Sequence, residues 1–396
     1  FAFCEEMALD TEAQYSNADF RGVSAVQAFF NVLCFTVGAG MLGLPHAVLA
    51  FGQWWWVPIT ACALACYYTA ELLHQVQSQH QTLTYECTGY ACGGQLACRA
   101  VAGALGLNQF GIAVLYVITV CHNVQLLRNA AGQGEWQLYV LVATVVLACI
   151  LRQQAAMCVS VASFVGMASV ILVGYVVVDA ARHDPAMADT GHCQVTVSAM
   201  AAGAGTTLFA YGGHPVYADV QGHMTNPRRF RNVLTLAFLA MWVGFLFVVD
   251  SAWTAFRCSA HGYVLDNLAG SSLARAGIVG ITVHLLSAIP VVLLPVVGIV
   301  EKRLPAIPHL LVRSCMVACI TGVAFLIPSF TTVLAVIGAC TENLLVIVFP
   351  IWMYHSTFGR WRGVKGLFQV GADIVLCVIS FTVLSITLGG ALLWWL

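Results

Sequence analysis

The chain has 396 residues, of which 60% are hydrophobic and only 8% are Asp, Glu, Lys or Arg. Soluble domains carry about one quarter charged residues, so roughly two thirds of the charge that water-facing surfaces need is missing and most of the surface must face lipid. A formal net charge of -1 offers no basic field for nucleic acid, and apolar material throughout excludes intrinsic disorder.

A helix crosses the hydrocarbon core with about 20 apolar residues, and lipid tolerates no open strand edge, so the long apolar runs are predicted to be helices in an all-α polytopic membrane protein. There are eleven: Val23–Gly52, Trp54–His74, Gly103–Leu127, Trp136–Leu151, Ala155–Val178, Val195–Tyr217, Val233–Ala255, Ala276–Val300, Leu310–Ile327, Thr331–Tyr354 and Leu367–Leu396. The chain opens on Phe1, not a methionine, and residues 1–22, with Glu5, Glu6, Asp10, Glu12 and Asp19, read as the remnant of an acidic cytoplasmic tail. The longest connections, Gln75–Ala102 and Asp179–Gln194, are read as loops or short interfacial helices, too small for a domain. All function therefore sits inside the bundle.

Orientation follows from the basic residues. With a cytoplasmic N-terminus, twelve of the sixteen Lys and Arg fall on that side: Arg21, Arg99, Arg152, Arg228, Arg229, Arg231, Lys302, Arg303, Arg313, Arg360, Arg362 and Lys365. Arg128, Arg182, Arg257 and Arg275 fall on the other. The positive-inside bias places the N-terminus in the cytoplasm and, with an odd number of spans, the C-terminus opposite.

The first span contains Gly38-Ala39-Gly40-Met41-Leu42-Gly43-Leu44-Pro45. This satisfies the G-x-G-x-x-G pattern of dinucleotide sites, but the context excludes that reading: the pattern lies inside an apolar membrane run, with no strand before it. Glycine lacks a Cβ and proline lacks an N–H, so here they weaken a helix and free backbone groups for a small ligand or ion. The sixth span repeats the feature with Phe209-Ala210-Tyr211-Gly212-Gly213-His214-Pro215. Either break alone equally suits close helix packing through small residues. Two breaks five spans apart favour an inverted repeat with a substrate site at the midplane. Half-helix N-termini there attract a carboxylate, and C-terminal carbonyls attract an ammonium or cation.

The run Asn31 to Ala47, with Gly38-Ala39-Gly40-Met41-Leu42-Gly43-Leu44-Pro45 at its centre and Gly52 after it, resembles the first-helix signature of the amino acid/auxin permease family, within the APC superfamily. Further similarities follow in order: Thr84-Tyr85 with Ala91-Cys92-Gly93; Phe209 to His214, then Met224-Thr225-Asn226-Pro227 and Phe230; His284, Pro295 and Glu301; Arg313, Pro328-Ser329-Phe330, Gly338 and Phe349-Pro350. The resemblance runs from about Val23 to Tyr354, while His46 stands where many relatives carry Tyr or another residue. It implies a LeuT-type fold of two inverted five-helix repeats, residues 23–178 and 195–355, plus an eleventh helix at 366–396, with the first and sixth helices unwound mid-membrane. It also implies secondary transport of amino acids driven by a proton or sodium gradient, in the plasma membrane or a vacuolar or lysosomal-type membrane of a eukaryote.

On this reading the backbone of Gly38, Ala39 and Gly40 is the candidate holder of a substrate carboxylate, and that of Phe209, Ala210 and Tyr211 of its amino group. Tyr116 and Thr282 are candidates for lining the same cavity, although a core aromatic and a hydroxyl bonded to its own helix are the commoner fates. Ionisable groups inside spans are treated as functional by default. Glu342, centred in the tenth span, is the first protonation candidate, against the alternative of a paired or neutral structural acid; Glu71, Asp250 and Asp373 lie nearer span ends and are expected to reach the interface. His46, His214 and His284 have a side chain suited to proton sensing, or sit neutral against a backbone carbonyl. Proton coupling is preferred to sodium because Ala288 replaces a second hydroxyl near Thr282 and Ser287. No cofactor or metal is expected: the sixteen cysteines contain no C-x-x-C pair and mostly lie in apolar runs. Cys193 and Cys258 fall in outward loops and are expected to form a disulfide. The partners implied are a small amino acid and the bilayer around a monomer. A membrane acyltransferase would need a compact Cys/His cluster, which is lacking; a transporter-like nutrient receptor would signal through a longer tail.

Overall fold

The computed structural model describes residues 22–128, 135–152, 168–180, 193, 195–268, 272–359 and 364–395. The acidic segment before Gly22 and most of the Asp179–Gln194 connection lie outside these residues. The described chain is almost entirely helical, and the helices follow the apolar runs: α1 (Ala25–Thr36), α2 (Ala39–Ala47), α3 (Trp56–His80), α4 (Tyr85–Arg128), α5 (Glu135–Arg152), α6 (Ala168–Ala180), α7 (Val197–Tyr211), α8 (His214–Gly222), α9 (Phe230–Phe256), α10 (Ser272–Arg303), α11 (His309–Leu326), α12 (Phe330–Ile337), α13 (Phe349–Phe358) and α14 (Val364–Trp395). By length and composition seven spans qualify as membrane-crossing among the described residues, and the bent pair α1–α2 makes an eighth. Among the described residues α5 and α6 are shorter apolar helices, and much of the span expected at Ala155–Val178 lies outside those residues, so length alone does not establish eleven crossings.

The side-chain pattern is that of helices in lipid. Along α9, Phe238, Met241, Phe245 and Ala252 are buried, while Leu236, Leu239, Val243 and Phe247 on the opposite face are exposed. Both faces are apolar, as a helix packed between protein and lipid requires. α14 goes further. Its exposed face is Ile374, Val375, Val378 and Ile379, whereas Asp373, Ser380 and Thr387, successive positions two turns apart, are buried against the bundle.

Three departures from the sequence expectations have physical causes. The Gln75–Ala102 connection, expected as loops or short interfacial helices, is helical but continuous with the spans on either side: α3 continues to His80, where Gln81 caps it in the left-handed conformation, and α4 starts at Tyr85. α4 is bent at Gly93–Gly94, and Gly94 has φ 65°, which favours glycine. The tenth span is not uniform, because two π-helical segments, Gly338–Glu342 and Leu344–Val348, separate α12 from α13. The second segment ends two residues before Pro350, whose ring and missing N–H do not fit a regular α-turn, and a widened turn accommodates it. Asp373, expected at an interface, is only 2% exposed. It accepts from the Tyr68 hydroxyl at 2.7 Å and pairs with His355 Nε2 at 2.7 Å, so two partners from other helices replace water.

α1 begins at a capping box, with Ser24 and Gln27 satisfying each other's backbone N–H groups. Just before it, Val23 forms an isolated bridge with Met224. Val23 N–H donates to His223 O at 2.9 Å, and Thr225 N–H donates to Val23 O at 3.1 Å. The first span is thereby latched to the exit of the sixth.

Candidate functional site

Both expected breaks are present. Between α1 and α2 the axis turns by 54°. α2 starts at Ala39 with Gly38 as its cap and receives no side-chain capping bond. Met41 N–H turns back to Gly38 O at 3.1 Å, and the start of the helix, at Ala39 and Gly40, carries the positive end of its dipole. A methyl group built on Gly38 would meet nothing within 4 Å, so there is open space beside the break.

The second break lies between α7 and α8. Gly212 is extended, and Gly213 has φ 150°, a conformation closed to residues with a Cβ. Gly212 N–H turns back to Phe209 O at 3.1 Å. Pro215, near the start of α8, lacks only an N–H that would be orphaned there.

The two breaks adjoin. A methyl on Gly40 would sit 2.9 Å from Ala210 Cα and 3.1 Å from the Phe209 ring. Thus the candidate carboxylate-binding turn, Gly38 to Gly40, and the candidate amino-binding turn, Phe209 to Tyr211, are brought side by side. Thr36, the last residue of α1, bridges them further: its hydroxyl donates to Val32 O at 2.8 Å and meets the Tyr217 hydroxyl at 3.0 Å. Tyr217 in turn reaches Tyr211 O at 3.3 Å. Tyr211 is fully buried between Phe238 and Phe245 of α9, and among the described residues its hydroxyl has no hydrogen-bond partner.

Glu342 closes the site from the tenth span. It is 5% exposed. A methyl on Gly212 would overlap its carboxylate, 2.6 Å from Cδ. Asn108 Nδ2 donates to Glu342 Oε1 at 2.9 Å, while Oε2 has no hydrogen-bond partner among the described residues. The adjacent side chains run to other helices. Thr341 donates to Asn108 Oδ1 at 2.6 Å, and Asn343 donates to Ser380 O of α14 at 2.9 Å and accepts from the Ser380 hydroxyl. Three consecutive polar residues thus tie the tenth span to α4, to the α7–α8 break and to α14.

His214 is fully buried, with Nε2 3.0 Å from the Thr69 hydroxyl. His46 is exposed, and its Nδ1 lies 3.0 Å from Ala260 O. Thr282 sits on the seam of α10 with α4, donating to Ile278 O and accepting from Asn123. His284, also on α10, is half-buried, and its carbonyl accepts from Ser287. Tyr116 of α4 is half-buried against the core. Of the side-chain candidates, Glu342 therefore packs against a break, at Gly212, and His214 opens α8 directly after Gly213. Asn108, Thr36 and Tyr217 were not anticipated. An Asn in the middle of an apolar run was a readable signal for Asn108, but its partner was not.

At the His46 end a cavity of about 590 Å³ opens over the site. Its walls include Ser198, Thr206, Thr331, Thr332 and Thr387, with Cys193 and Cys258 at the rim. Those two cysteines are joined by a disulfide with Cα atoms 5.0 Å apart. Toward its floor, Leu334, Phe330 and Thr206 crowd onto Gly43, one turn above Gly40. At the opposite end the Val23–Met224 latch lies across the exit. The breaks are therefore covered from both sides. Among the described residues no group of three His, Cys, Asp or Glu side chains is arranged to hold a metal ion.

The family model described as transmembrane amino acid transporter protein matches residues 21–393. Similar curated proteins from Arabidopsis thaliana include amino acid transporter AVT1E, 23% identical over 372 residues (88% of this chain, 69% of the relative). Others are AVT1J, 20% identical over 93% of this chain and 89% of the relative, and ANT1, 21% identical over 91% and 90%. Among solved structures, that of MhsT in complex with L-phenylalanine superposes with a TM-score of 0.56 at 11% identity, covering 90% of this chain and 98% of the other. At that identity the likeness establishes the LeuT-type fold and nothing finer.

Proposed function

The chain belongs to the transmembrane amino acid transporter family, whose members are transporters and not enzymes, and we propose that it moves a small amino acid across its membrane by alternating access, coupled to a proton gradient. The observation that carries this reading is the contact of Gly40 with Phe209 and Ala210, which sets an uncapped helix N-terminus beside a helix C-terminus in the middle of a lipid-facing bundle. The substrate carboxylate takes the N–H groups of the first turn of α2, and its ammonium takes the carbonyl end of α7. Such a pair of half-helix ends recognises the zwitterion common to all amino acids and leaves selectivity to neighbouring side chains.

Transport then consists of exposing this site alternately at the His46 end and the Val23 end. The cavity above Gly43 is the approach from the first side, and the Val23–Met224 bridge is the contact that must part on the second. Glu342 is the proton carrier: a buried carboxyl against Gly212 alters the charge at the α7–α8 break when it titrates.

Purified protein in liposomes is tested with a mixture of radiolabelled amino acids under imposed pH or sodium gradients. Accumulation driven by a pH gradient is expected. Uptake driven by sodium alone would overturn the coupling assignment, and no gradient-dependent uptake of any amino acid would overturn the transport reading itself.

A further inference from the structure

We propose that Asn108 is a positioning residue for the coupling proton, fixing one oxygen of Glu342 as an acceptor so that the proton is gained and lost at the other, the oxygen facing Gly212. This rests on the reading of Glu342 as the proton carrier.

Asn108 is 4% exposed and projects from α4 into the seam with the tenth span. Its Nδ2 donates to Glu342 Oε1 at 2.9 Å, and its Oδ1 accepts from the Thr341 hydroxyl at 2.6 Å. The Thr341 bond defines which end of the amide faces Glu342. A hydroxyl has one proton, and with Asn108 Oδ1 at 2.6 Å and Ile337 O at 3.1 Å it goes to the nearer Asn108 Oδ1. With the amide so held, an N–H always points at Oε1. A proton on Oε1 would confront that donor, so it adds to Oε2, which has no hydrogen-bond partner among the described residues and lies against Gly212. The neutral and ionised forms then differ at the break and hardly at all on the α4 side.

Few other groups compete. Cys66 of α3, Tyr85 of α4 and Tyr217 of α8 face Glu342, and thiols and phenols carry no charge at neutral pH. Tyr211 is the sole titratable side chain on α7, and α12 has none. Cys340 shares the π-helical segment with Glu342. His214 of α8 is bonded to Thr69. On α14, Asp373 is held by Tyr68 and His355, with Cys377 beside it. Among the described residues no basic side chain forms an ion pair with Glu342. The Asn108 donor is therefore the main stabiliser of the ionised form, and its removal favours the protonated one.

The test is the pH profile of amino acid uptake into liposomes for Asn108→Ala, Thr341→Val, Glu342→Gln and Asn108→Ala/Glu342→Gln. Asn108→Ala is expected to move the pH midpoint of transport upward by about one to two units, the worth of one hydrogen bond to a charged group. Thr341→Val, which keeps the Asn108 side chain but frees its amide, moves it the same way by less. Glu342→Gln flattens the profile, and the double variant matches Glu342→Gln. A flat Glu342→Gln profile with an unmoved midpoint in Asn108→Ala would overturn the role of Asn108 and leave Glu342 as carrier. A wild-type profile in Glu342→Gln would overturn both. If Asn108→Ala does not fold, Thr341→Val decides: an unmoved midpoint there overturns the proposal.

Discussion

Gly212→Ala probes the closest contact of the site. Gly212 has φ -61° and ψ 152°, which alanine adopts freely, so the substitution adds no backbone strain and its cost is steric alone. The new methyl would lie 2.6 Å from Glu342 Cδ and 3.0 Å from Oε1, and closest to Oε2. Ordinary carbon contacts are about 3.5–4.0 Å, so the carboxyl must retreat by nearly an ångström. Retreat is opposed by the Asn108 bond, a hydrogen bond to a chargeable group worth about 1.5–3 kcal/mol. Overpacking of this kind costs about 1–3 kcal/mol, and such an energy shifts an equilibrium about 5- to 150-fold. The assay is a double-mutant cycle with Glu342→Ala, read as unfolding free energy in a reversible denaturant titration in mixed micelles. Gly212→Ala should destabilise the wild-type background by that amount and the Glu342→Ala background by less than about 0.5 kcal/mol, giving a coupling above about 1 kcal/mol. Equal costs in the two backgrounds would show that Glu342 does not press on the break, and the site as described would fall.

Tyr217→Phe removes the hydroxyl that joins Thr36 to Tyr211 O; a net loss of about 0.5–1.5 kcal/mol should favour opening at the Val23 end, seen as faster thiol labelling of a cysteine placed at Val23, and unchanged labelling would argue against that latch. Replacing Cys193 and Cys258 by serine unties the rim of the cavity and should cost about 2–4 kcal/mol of stability; non-reduced mass spectrometry finding both thiols free in the native protein would refute the link. His355→Ala removes one of the two partners of the buried Asp373 and should cost about 1–3 kcal/mol, the cost of leaving a buried acceptor unsatisfied. Adding Asp373→Asn should restore much of that loss, and failure to do so would mean that the cluster is not held by the Asp373 carboxyl group.

The Gly/Pro runs and the low charge were sufficient for a bundle of membrane helices with two breaks because lipid acts on each segment by itself. An apolar run without water must bond its own backbone, so it becomes a helix whatever its neighbours are, and Gly38–Pro45 and Gly212–Pro215 interrupt that helix locally. The adjacency of the two breaks followed from the resemblance of the whole chain to a five-plus-five architecture. Polar side chains obey a different rule. A buried Asp, Glu or Asn must find its partner on another helix, and which partner it meets depends on rotation about helix axes, which a single sequence does not specify. Asp373 near the start of α14 was therefore read as reaching water, whereas tertiary packing turned it inward to Tyr68 and His355. Thr282 was placed by sequence among cavity candidates, and packing turned its hydroxyl to Ile278 and Asn123. Glu342 was recognisable as an acid at mid-membrane depth. That Asn108 holds one of its oxygens while the other lies against Gly212 was decided by the meeting of three separate helices, and by the π-helical turns that Pro350 helps to shape.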